Sequence, residues 1–313
     1  MRSLKILCLG TTPAVQRVMI FRKLTTDAVN RAVTTLDGVA GKSINVAKAL
    51  KTLGPHPIAT GFLGGARGEF LREIMGQKKI ESDFVTVKRP TRQCTTVIDE
   101  SAGTHTELVE EGHPVTPSDF KKFMAVVRRH IAGCQAVVMS GSIASGCPAT
   151  LYRDCTVLAN KAGALSVVDA QGAALTATLA ANPGLVKPNR TELAHTIGRK
   201  LQSQADVLRA MQKLHERGAQ RVIVTAGREP TLAFDGKVFW RVIPPRIHVV
   251  NPIGSGDAFT AGVVWRLLGG DDLGEACRWG AAAGAANALT PMPGDLRRRD
   301  VARFLKDVRI RAI

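Results

Sequence analysis

An α/β fold, in which helices flank a mostly parallel central sheet, is predicted by the order of apolar segments in this chain of 313 residues. Short apolar runs typical of buried strands alternate with longer stretches of helical periodicity, most clearly after residue 115. Such alternation indicates a parallel sheet, because each parallel connection must cross back over the sheet, usually through a helix. The predicted strands are 4–10, 57–63, 83–88, 136–140, 165–169, 185–187 and 221–225, and the predicted helices are 43–53, 68–76, 117–131, 148–162 and 203–217.

Two segments, at about 12–37 and 90–112, interrupt this alternation. The first contains a loosely alternating strand at 31–37, and the second contains strands at 93–99 and 104–110 that form a hairpin. We expect the two segments to pair into a small β-sheet lid over the carboxyl-terminal edge of the main sheet, where α/β sheets bind ligands. Because no low-complexity linker is found, residues 1–313 are expected to form a single domain.

The composition narrows the classes of partner. Lys and Arg exceed Asp and Glu by 17, and the isoelectric point is near 10.2, so the chain attracts anions. Only 4% of residues are aromatic, which argues against a stacking surface for single-stranded nucleic acid, and no apolar run is long enough to cross a membrane. We therefore expect neither nucleic acid nor a membrane as partner. Seven basic residues near the carboxyl terminus are predicted to lie on one solvated helix: Arg297, Arg298, Arg299, Arg303, Lys306, Arg309 and Arg311.

The six cysteines form no CxxC pair and no zinc-ligand spacing with histidine. Such usage is typical of reduced thiols, which predicts a cytoplasmic location.

The strongest motif is Asn251–Asp257, a Gly-Ser-Gly-Asp turn that leads directly into an apolar helix. Backbone N–H groups at such a helix start form an anion site, which Gly254, Ser255 and Gly256 can supply. A carboxylate beside that site suits phosphoryl transfer, because Asp257 can take the proton of an attacking hydroxyl. The alternative from the residues alone is an Asp that only caps the helix after a glycine turn.

A second glycine-rich segment, Gly38–Lys48, precedes a helix and invites a P-loop interpretation. Walker A requires a glycine where this chain has Leu36, so that interpretation fails. We interpret the segment instead as a close-approach loop at Gly41, with the cation of Lys42 and the amide of Asn45 offered to a polar ligand. The alternative is an ordinary helix start with Lys42 facing solvent.

Two shorter motifs follow predicted strands. In Val186–Glu192, Asn189 can cap a helix in a capping box with Glu192, or the two side chains can orient Mg²⁺ and its waters near phosphates. Thr225 ends the predicted strand at 221–225 and Gly227 follows it, where a hydroxyl and a tight turn could meet a nucleotide.

Taken together, these motifs resemble the PfkB (ribokinase-like) family of carbohydrate kinases, over nearly the whole chain and in the same order. Gly41–Ala47 is similar to the first family signature, Asn251–Asp257 to the second, and Lys187–Glu192 to the nucleotide-side motif. Further segments resemble the phosphosugar branch, which includes 1-phosphofructokinases and tagatose-6-phosphate kinases. These segments are Asp27–Arg31, Thr91–Cys94, Thr106–Gly112, Ser140–Ser142 and the Asn-Pro opening of the second signature.

The resemblance implies a ribokinase-like fold, ATP and Mg²⁺ as cofactors, and a homodimer formed through the β lid. It implies Asp257 as general base and Gly254, Ser255 and Gly256 as anion hole for phosphorylation of a ketohexose phosphate. The implied sugar-phosphate side comprises Gln16, Gly41, Lys42, Asn45, Arg92, Ser140 and Ser142. The implied nucleotide side comprises Lys187, Asn189, Thr225, Gly227 and Asn287, with Glu192 and Asn189 near the metal.

Two departures concern the sugar side. The family usually has Asn-Pro-x-x-Asp near the amino terminus, and its Asp binds sugar hydroxyls; here the segment ends in Gln16, and Ser43 replaces the usual Gly after Lys42. A kinase of an unphosphorylated sugar or nucleoside therefore stays open as an alternative. So does a sugar-phosphate sensor without turnover, although the intact Asp257 argues against it.

Overall fold

The computed structural model describes residues 4–313, so the first three residues of the predicted domain lie outside it. It contains sixteen strands within that range. In chain order they are β1 (Lys5–Leu9), β2 (Ala14–Phe21), β3 (Thr34–Ala40), β4 (His56–Thr60), β5 (Phe62–Leu63), β6 (Glu81–Ser82), β7 (Val85–Thr86), β8 (Arg92–Asp99), β9 (Thr104–Val109), β10 (Ala136–Ser140), β11 (Leu165–Asp169), β12 (Leu185–Val186), β13 (Val222–Ala226), β14 (Glu229–Phe234), β15 (Phe239–Ile243) and β16 (Arg309–Ala312).

Ten helices accompany them in the same described range. They are α1 (Lys42–Leu53), α2 (Gly65–Gln77), α3 (Pro117–Ile131), α4 (Leu151–Lys161), α5 (Gly172–Leu179), α6 (Arg190–Ile197), α7 (Gln204–Glu216), α8 (Ser255–Leu268), α9 (Leu273–Asn287) and α10 (Arg298–Phe304). Among these, no helix combines the length and the apolar character needed to cross a membrane.

The large sheet has ten strands in the order β16-β15-β14-β13-β12-β11-β10-β1-β4-β6. The seven strands from β13 to β6 are parallel, which confirms the prediction of a mostly parallel sheet. Central strands such as Leu165–Asp169 are almost continuously apolar because helices cover both of their faces. Helices α1, α2, α8, α9 and α10 pack in the core on one face, and α3 to α7 pack in the core on the other.

A second sheet, of order β3-β2-β8-β9, joins the two segments that interrupt the alternation. Strand β2 pairs antiparallel with β3 and parallel with β8, and β8 and β9 form the predicted hairpin. We call these four strands the lid sheet. Its first half runs to Ala40, three residues beyond the predicted segment.

The carboxyl-terminal basic cluster is not one solvated helix. Helix α10 ends at Phe304, and Arg309 and Arg311 lie on β16 instead. Strand β16 pairs with β15, with Ile310 opposite Val242, and so completes an antiparallel extension of the sheet. Main-chain pairing with an existing edge strand thus outweighs the helical tendency of the last basic residues.

Helix α9 was not predicted because its Gly- and Ala-rich sequence has no clear apolar period. Its small residues serve packing. A Cβ on Gly262 of α8 would lie 2.9 Å from Cα of Gly280 of α9, so the two helices touch backbone to backbone. The same close packing reaches the start of α8, where the second signature lies, because a Cβ on Gly284 of α9 would lie 2.9 Å from the carbonyl oxygen of Ser255.

Candidate active site

A cavity of about 340 Å³ lies between the lid sheet and the carboxyl ends of the large sheet's central strands. One side, which we call the sheet wall, carries Lys42, Asp169, Lys187, Glu192 and Asp257. The opposite side, the lid wall, carries Gln16, Arg92, Cys94, Glu107 and Val109. Most of the predicted site residues therefore meet in one place, at the strand ends where a parallel sheet offers its ligand crevice.

The anion loop of the second signature is held rigidly at the start of α8. Gly254 has a φ of +84°, a backbone conformation that favours glycine, and Gly254 and Gly256 line the cavity. The N–H of Ser255 donates to the carbonyl of Pro252 at 3.1 Å. Of the predicted anion-hole residues, the two glycines thus face the cavity, whereas Ser255 helps to close the turn.

Two buried asparagines form hydrogen bonds with this loop on the side away from the cavity. Asn251 Oδ1 accepts from the N–H of Ile253 at 3.1 Å. Asn287 Nδ2 donates to the Ile253 carbonyl at 2.9 Å and to Ser255 Oγ at 3.2 Å. Asn287, expected on the nucleotide side from the family resemblance, is fully buried here and does not line the cavity.

Asp257 lies in the first turn of α8 and is 6% exposed. Its Oδ2 accepts a hydrogen bond from Asn45 Nδ2 at 2.7 Å, which fixes the direction of the carboxylate. Burial, reinforced by the negative charge of Asp169 and opposed by Lys42, raises the pKa of Asp257 to about 7. A carboxyl group with this pKa can exchange a proton near neutral pH, as a general base must.

Asp169, at the end of β11, is the central charge of the sheet wall and was given no role from the sequence. Its carboxylate lies 3.0 Å from Lys187 Nζ and 3.2 Å from Lys42 Nζ, and it accepts from Thr260 Oγ1 at 3.3 Å. Burial alone would raise the pKa of Asp169, but the two ammonium groups outweigh it and lower that pKa. The available signal was its position as the last residue of an apolar parallel strand.

Lys42 stands between two carboxylates. Its Nζ lies 3.2 Å from Asp169 Oδ1 and 3.0 Å from Glu192 Oε1. The charge of Asp169, with Glu192 and Asp257 adding to it, raises the pKa of Lys42 against the effect of burial. The side chain expected on the sugar-phosphate side therefore points toward the residues expected on the nucleotide and metal side.

The capping box at the start of α6 is present. Asn189 Oδ1 accepts from the N–H of Glu192, and Glu192 Oε2 accepts from the N–H of Asn189, both at 2.8 Å. The structural interpretation of this motif is thus correct, and both side chains also line the cavity. The main chain engages the oxygen of Asn189. Glu192 Oε1 is the oxygen of the pair that the capping box does not use, and it accepts from Lys42 Nζ at 3.0 Å.

Of the remaining residues predicted to bind the nucleotide, two line the cavity and one does not. Lys187, 3% exposed, and Thr225 line the cavity. Gly227 has a φ of +62° in the exposed turn after β13 and does not line it.

On the sugar side, Arg92 is anchored by main-chain carbonyls. Its Nε and Nη2 donate to the carbonyl of Thr12 at 3.1 and 2.9 Å, and its Nη1 donates to that of Glu110 at 3.2 Å. Gln16 is 1% exposed and donates from Nε2 to Thr96 Oγ1 at 2.9 Å. Both side chains line the cavity in fixed orientations.

The loop after β10 also contributes to this side. Ser142 lines the cavity, and its carbonyl accepts from Thr11 Oγ1 at 2.9 Å. Ser140 is buried and does not line the cavity, and within residues 4–313 its hydroxyl has no hydrogen-bond partner. Gly41, at the start of α1, lines the cavity as expected.

The comparisons with known proteins agree with this geometry. The model of the pfkB family of carbohydrate kinases matches residues 3–295. The chain belongs to the PfkB family. It is a carbohydrate kinase with the ribokinase-like fold of that family.

A tagatose-6-phosphate kinase of Staphylococcus epidermidis is 30% identical over 308 residues, which cover 97% of this kinase and 99% of that protein. The structure of phosphofructokinase-2 from Escherichia coli with fructose 6-phosphate is 28% identical, with a TM-score of 0.88 and coverage of 98% and 99%. That enzyme has also been solved as an inhibited tetramer. A protein described as a possible 1-phosphofructokinase from Thermotoga maritima is 25% identical, with a TM-score of 0.91 and coverage of 99% of each chain.

The donor set of this kinase fits a magnesium ion held mainly by phosphates and water. Within residues 4–313, no three His, Cys, Asp or Glu side chains converge as a metal site. Asp169 and Glu192 nevertheless direct oxygens at one cation, the ammonium of Lys42. In kinases the protein usually supplies one or two carboxylates to Mg²⁺, and the substrate phosphates and water supply the other ligands.

Proposed function

We propose that this kinase phosphorylates a hydroxyl of a ketohexose phosphate with ATP, the substrates considered being fructose 1-phosphate, tagatose 6-phosphate and fructose 6-phosphate. The observation that carries the proposal is Asp257, a buried carboxyl group with a pKa near 7 that lies beside the glycine turn of the anion loop. A base and an anion hole at one helix start are what transfer to an alcohol requires.

In the proposed reaction Asp257 accepts the proton of the sugar hydroxyl. The freed oxygen forms a bond to the γ-phosphorus of ATP while the bond from that phosphorus to the β,γ-bridging oxygen breaks. ADP leaves with the electron pair of the broken bond. The N–H groups of Gly254 and Gly256 stabilise the charge on the transferring phosphoryl group, while Ser255 closes the turn between them. Asn45 keeps the carboxylate pointed into the cavity.

The nucleotide is assigned to Lys187, Asn189 and Thr225, which line the cavity; Gly227 and Asn287, which the family resemblance implies on the same side, do not line it. Lys187 supports this assignment best, because its buried ammonium lies on the sheet wall. Mg²⁺ would be held by Glu192, with Asn189 acting through water, and it would neutralise phosphate charge. Asp169 is a further carboxylate that could serve the ion.

The phosphate of the sugar is assigned to Arg92 and Ser142, which both line the cavity. The ammonium of Lys42, which lines the same cavity, is assigned to the phosphate of the sugar, as the family resemblance implies. Arg suits this task because its planar fork binds phosphate oxygens in pairs. The names of the relatives, a tagatose-6-phosphate kinase and phosphofructokinases, support a phosphorylated substrate.

A kinase of an unphosphorylated sugar is the second candidate, and Glu107 is the observation that favours it. This carboxylate lies on the lid wall of the same cavity, where it would repel a phosphate placed nearby. The amide of Gln16 can donate as well as accept a hydrogen bond, whereas the usual carboxylate only accepts from sugar hydroxyls.

A coupled assay of ADP release tests the proposal. The kinase is supplied with MgATP and, in turn, fructose 1-phosphate, fructose 6-phosphate, tagatose 6-phosphate, fructose and ribose. Saturable turnover on one phosphosugar at a micromolar to millimolar KM is expected. Preference for a free sugar would select the second candidate, and binding without turnover on any substrate would select a sensor.

We also infer a homodimer through the lid sheet and a cytoplasmic location. Three large apolar side chains in the lid segments are exposed to solvent and do not line the cavity, which favours a covered surface there: Val29, Val33 and Leu108. The six cysteines are all free, which suits a reducing compartment. Light scattering of the wild type and of a Leu108→Asp variant tests the dimer, because a buried charge should shift the mass toward one chain.

A further inference from the structure

The turn that follows α9, residues 290–295, presses against the anion loop, and we call it the brace turn. A Cβ on its Gly294 would lie 2.7 Å from Asn45 Cα, and a Cβ on Gly254 would lie 2.8 Å from the nitrogen of Gly294. The N–H of Gly294 donates to Asn287 Oδ1 at 2.7 Å. The position of Gly294 therefore sets the spacing between the anion loop and the asparagine that directs Asp257.

Lys48 of α1 lies under the brace turn and is 3% exposed. Its Nζ donates to the Pro293 carbonyl at 2.5 Å and lies 3.1 Å from Asp295 Oδ1, so it holds both neighbours of Gly294. The same Nζ donates to the carbonyl of Val39 at 3.3 Å, and Val39 belongs to strand β3 of the lid sheet. One buried ammonium thus joins the lid sheet, the brace turn and α1.

The lid sheet touches the brace turn at a second place. A Cβ on Gly38 of β3 would lie 3.0 Å from Met292 Cε. Gly38 is also the residue paired with Gln16 of the lid wall. A shift of the lid sheet would therefore displace the brace turn through Met292, and a shift of the brace turn would displace Gly254 through Gly294.

We propose that Lys48 is a positioning residue, which ties the lid sheet to the brace turn and thereby fixes Gly254 and Asn45 around Asp257. The role rests on the proposed function, because it concerns the rate of the same phosphoryl transfer. Lys48 does not line the cavity and acts only through these neighbours. Burying an ammonium costs free energy, and here three oxygen partners offset that cost.

The contacts of Lys48 make this role depend on pH. The charged groups that act on it are Asp295 of the brace turn and Lys78, which follows α2. Burial lowers the pKa of Lys48 to about 8, against the opposing effect of Asp295 and with Lys78 adding to the lowering. Above that pH the ammonium of Lys48 is lost, so one cation no longer joins the Pro293 carbonyl to Asp295, and Lys78 contacts Asp295 alone.

Deprotonation of Lys48 is expected to lower turnover, but it does not lower the stability of the fold. In the unfolded chain a lysine keeps its proton up to about 10.5, so between about 8 and 10.5 the unfolded state binds more protons at this group. The contribution of Lys48 to the free energy of unfolding therefore rises with pH in that window. A loss of turnover above pH 8 that stems from Lys48 is thus not a loss of folding.

The test compares kcat and KM from pH 6 to 10 for the wild type and four variants, with MgATP and the sugar substrate that the wild type accepts. Lys48→Met should lower kcat by about ten- to a hundredfold near pH 7.5, with a smaller change in the KM for sugar. Lys48→Arg should retain turnover and lose the fall near pH 8, because a guanidinium stays protonated. Lys78→Gln should move the fall to higher pH, and Lys51→Met, on the same helix, should leave the profile unchanged.

Hydrogen exchange of the peptide that contains residues 290–295 gives a readout without turnover. Exchange should speed up in Lys48→Met and not in Lys48→Arg. An alkaline fall that is the same in wild type, Lys48→Arg and Lys78→Gln would overturn the role of Lys48, as would unchanged exchange in Lys48→Met. If Lys48→Met does not fold, the Arg and Lys78 variants still decide. A wild type that turns over no substrate would contradict the proposed function. The exchange measurement would still test whether Lys48 holds the brace turn in place.

Discussion

The two walls of the cavity are built on different principles. On the sheet wall, Asp169 and Lys187 are 1% and 3% exposed, and every charge faces an opposite charge or an amide. On the lid wall, Glu107 is exposed, Val109 is 48% exposed, and the guanidinium of Arg92 is held by main-chain carbonyls. The sheet wall is therefore suited to one reaction, and the lid wall to choosing which sugar undergoes it.

Burial is what separates them physically. A charge pair in the protein interior interacts far more strongly than one at the surface, and each member is costly to leave unpaired. Changes to the sheet wall should therefore affect turnover and stability together. Changes to the lid wall should affect the recognition of one substrate and little else.

The largest effect is expected for Asp257→Asn, which removes the base and keeps the shape. Turnover should fall by about 10²–10⁴-fold, because general-base assistance is lost, while the affinity for MgATP changes little. Calorimetric titration with ATP, run beside the kinetic assay, separates the two quantities. Turnover equal to that of the wild type would remove Asp257 from the role of base.

The next effect tests the buried pair of the sheet wall against an exposed pair of the lid. Asp169→Asn should destabilise the fold by about 3–5 kcal/mol, because Lys187 is left buried without its carboxylate. Asp37→Asn breaks the Arg17–Asp37 pair on the lid sheet, whose side chains are each 44% exposed, and should cost less than about 1 kcal/mol. Denaturant unfolding of both variants makes the comparison, and equal losses would contradict it.

The same Asp169→Asn variant also changes the pH dependence of turnover. In the wild type, kcat should fall as pH drops below about 7, where Asp257 becomes protonated. Removing the negative charge of Asp169 lowers the pKa of Asp257, so the fall should move to lower pH. The variant needs to be only partly active for this shift to be measured, and a fall that stays in place would show that Asp169 does not act on Asp257.

The contrast between the walls also explains what the sequence could predict. The anion loop, the position of Asp257 at its helix start and the capping box at Asn189 were predictable because local chemistry fixes each of them within a few residues. Asn45 was expected beside a polar ligand, but its hydrogen bond to Asp257, 212 residues away, was not predicted. Asp169 was not, because its importance comes from two lysines that are 127 and 18 residues away in the chain.

The fold follows the same division. The parallel strands and α3 were predictable from apolar periods, and α3 spans Pro117–Ile131 as expected. Helix α9 and strand β16 were not, because a Gly- and Ala-rich helix has no stripe and an edge strand depends on a partner that only the folded chain supplies. Lys42 shows the limit for a single side chain, because its motif predicted a cation in the cavity but not the two carboxylates that it faces.

A smaller effect is expected on the lid wall for Arg92→Ala. The KM for the sugar phosphate should rise by about ten- to a hundredfold, since a charge-assisted contact is removed, while the KM for ATP stays within a factor of about two. Arg67→Ala is a suitable control, because Arg67 makes an exposed ion pair with Glu110 outside the cavity. An equal rise for both substrates would place Arg92 at the phosphoryl path.

The smallest effect, and the most informative for substrate choice, concerns Gln16→Asp. The amide of Gln16 donates to Thr96 Oγ1, whereas a carboxylate at this place would accept from that hydroxyl and from sugar hydroxyls. The ratio of kcat/KM values between two sugars should therefore shift by about two- to tenfold, the effect of one hydrogen bond. Gln93→Asp is the matched control, because Gln93 pairs with Val15 and so points to the other face of the lid sheet. If both variants shift the ratio equally, the change reflects the charge of the lid, and if neither does, Gln16 does not read the sugar. A shift confined to Gln16→Asp would show that sugar choice is set on the lid wall while the chemistry of the sheet wall stays fixed.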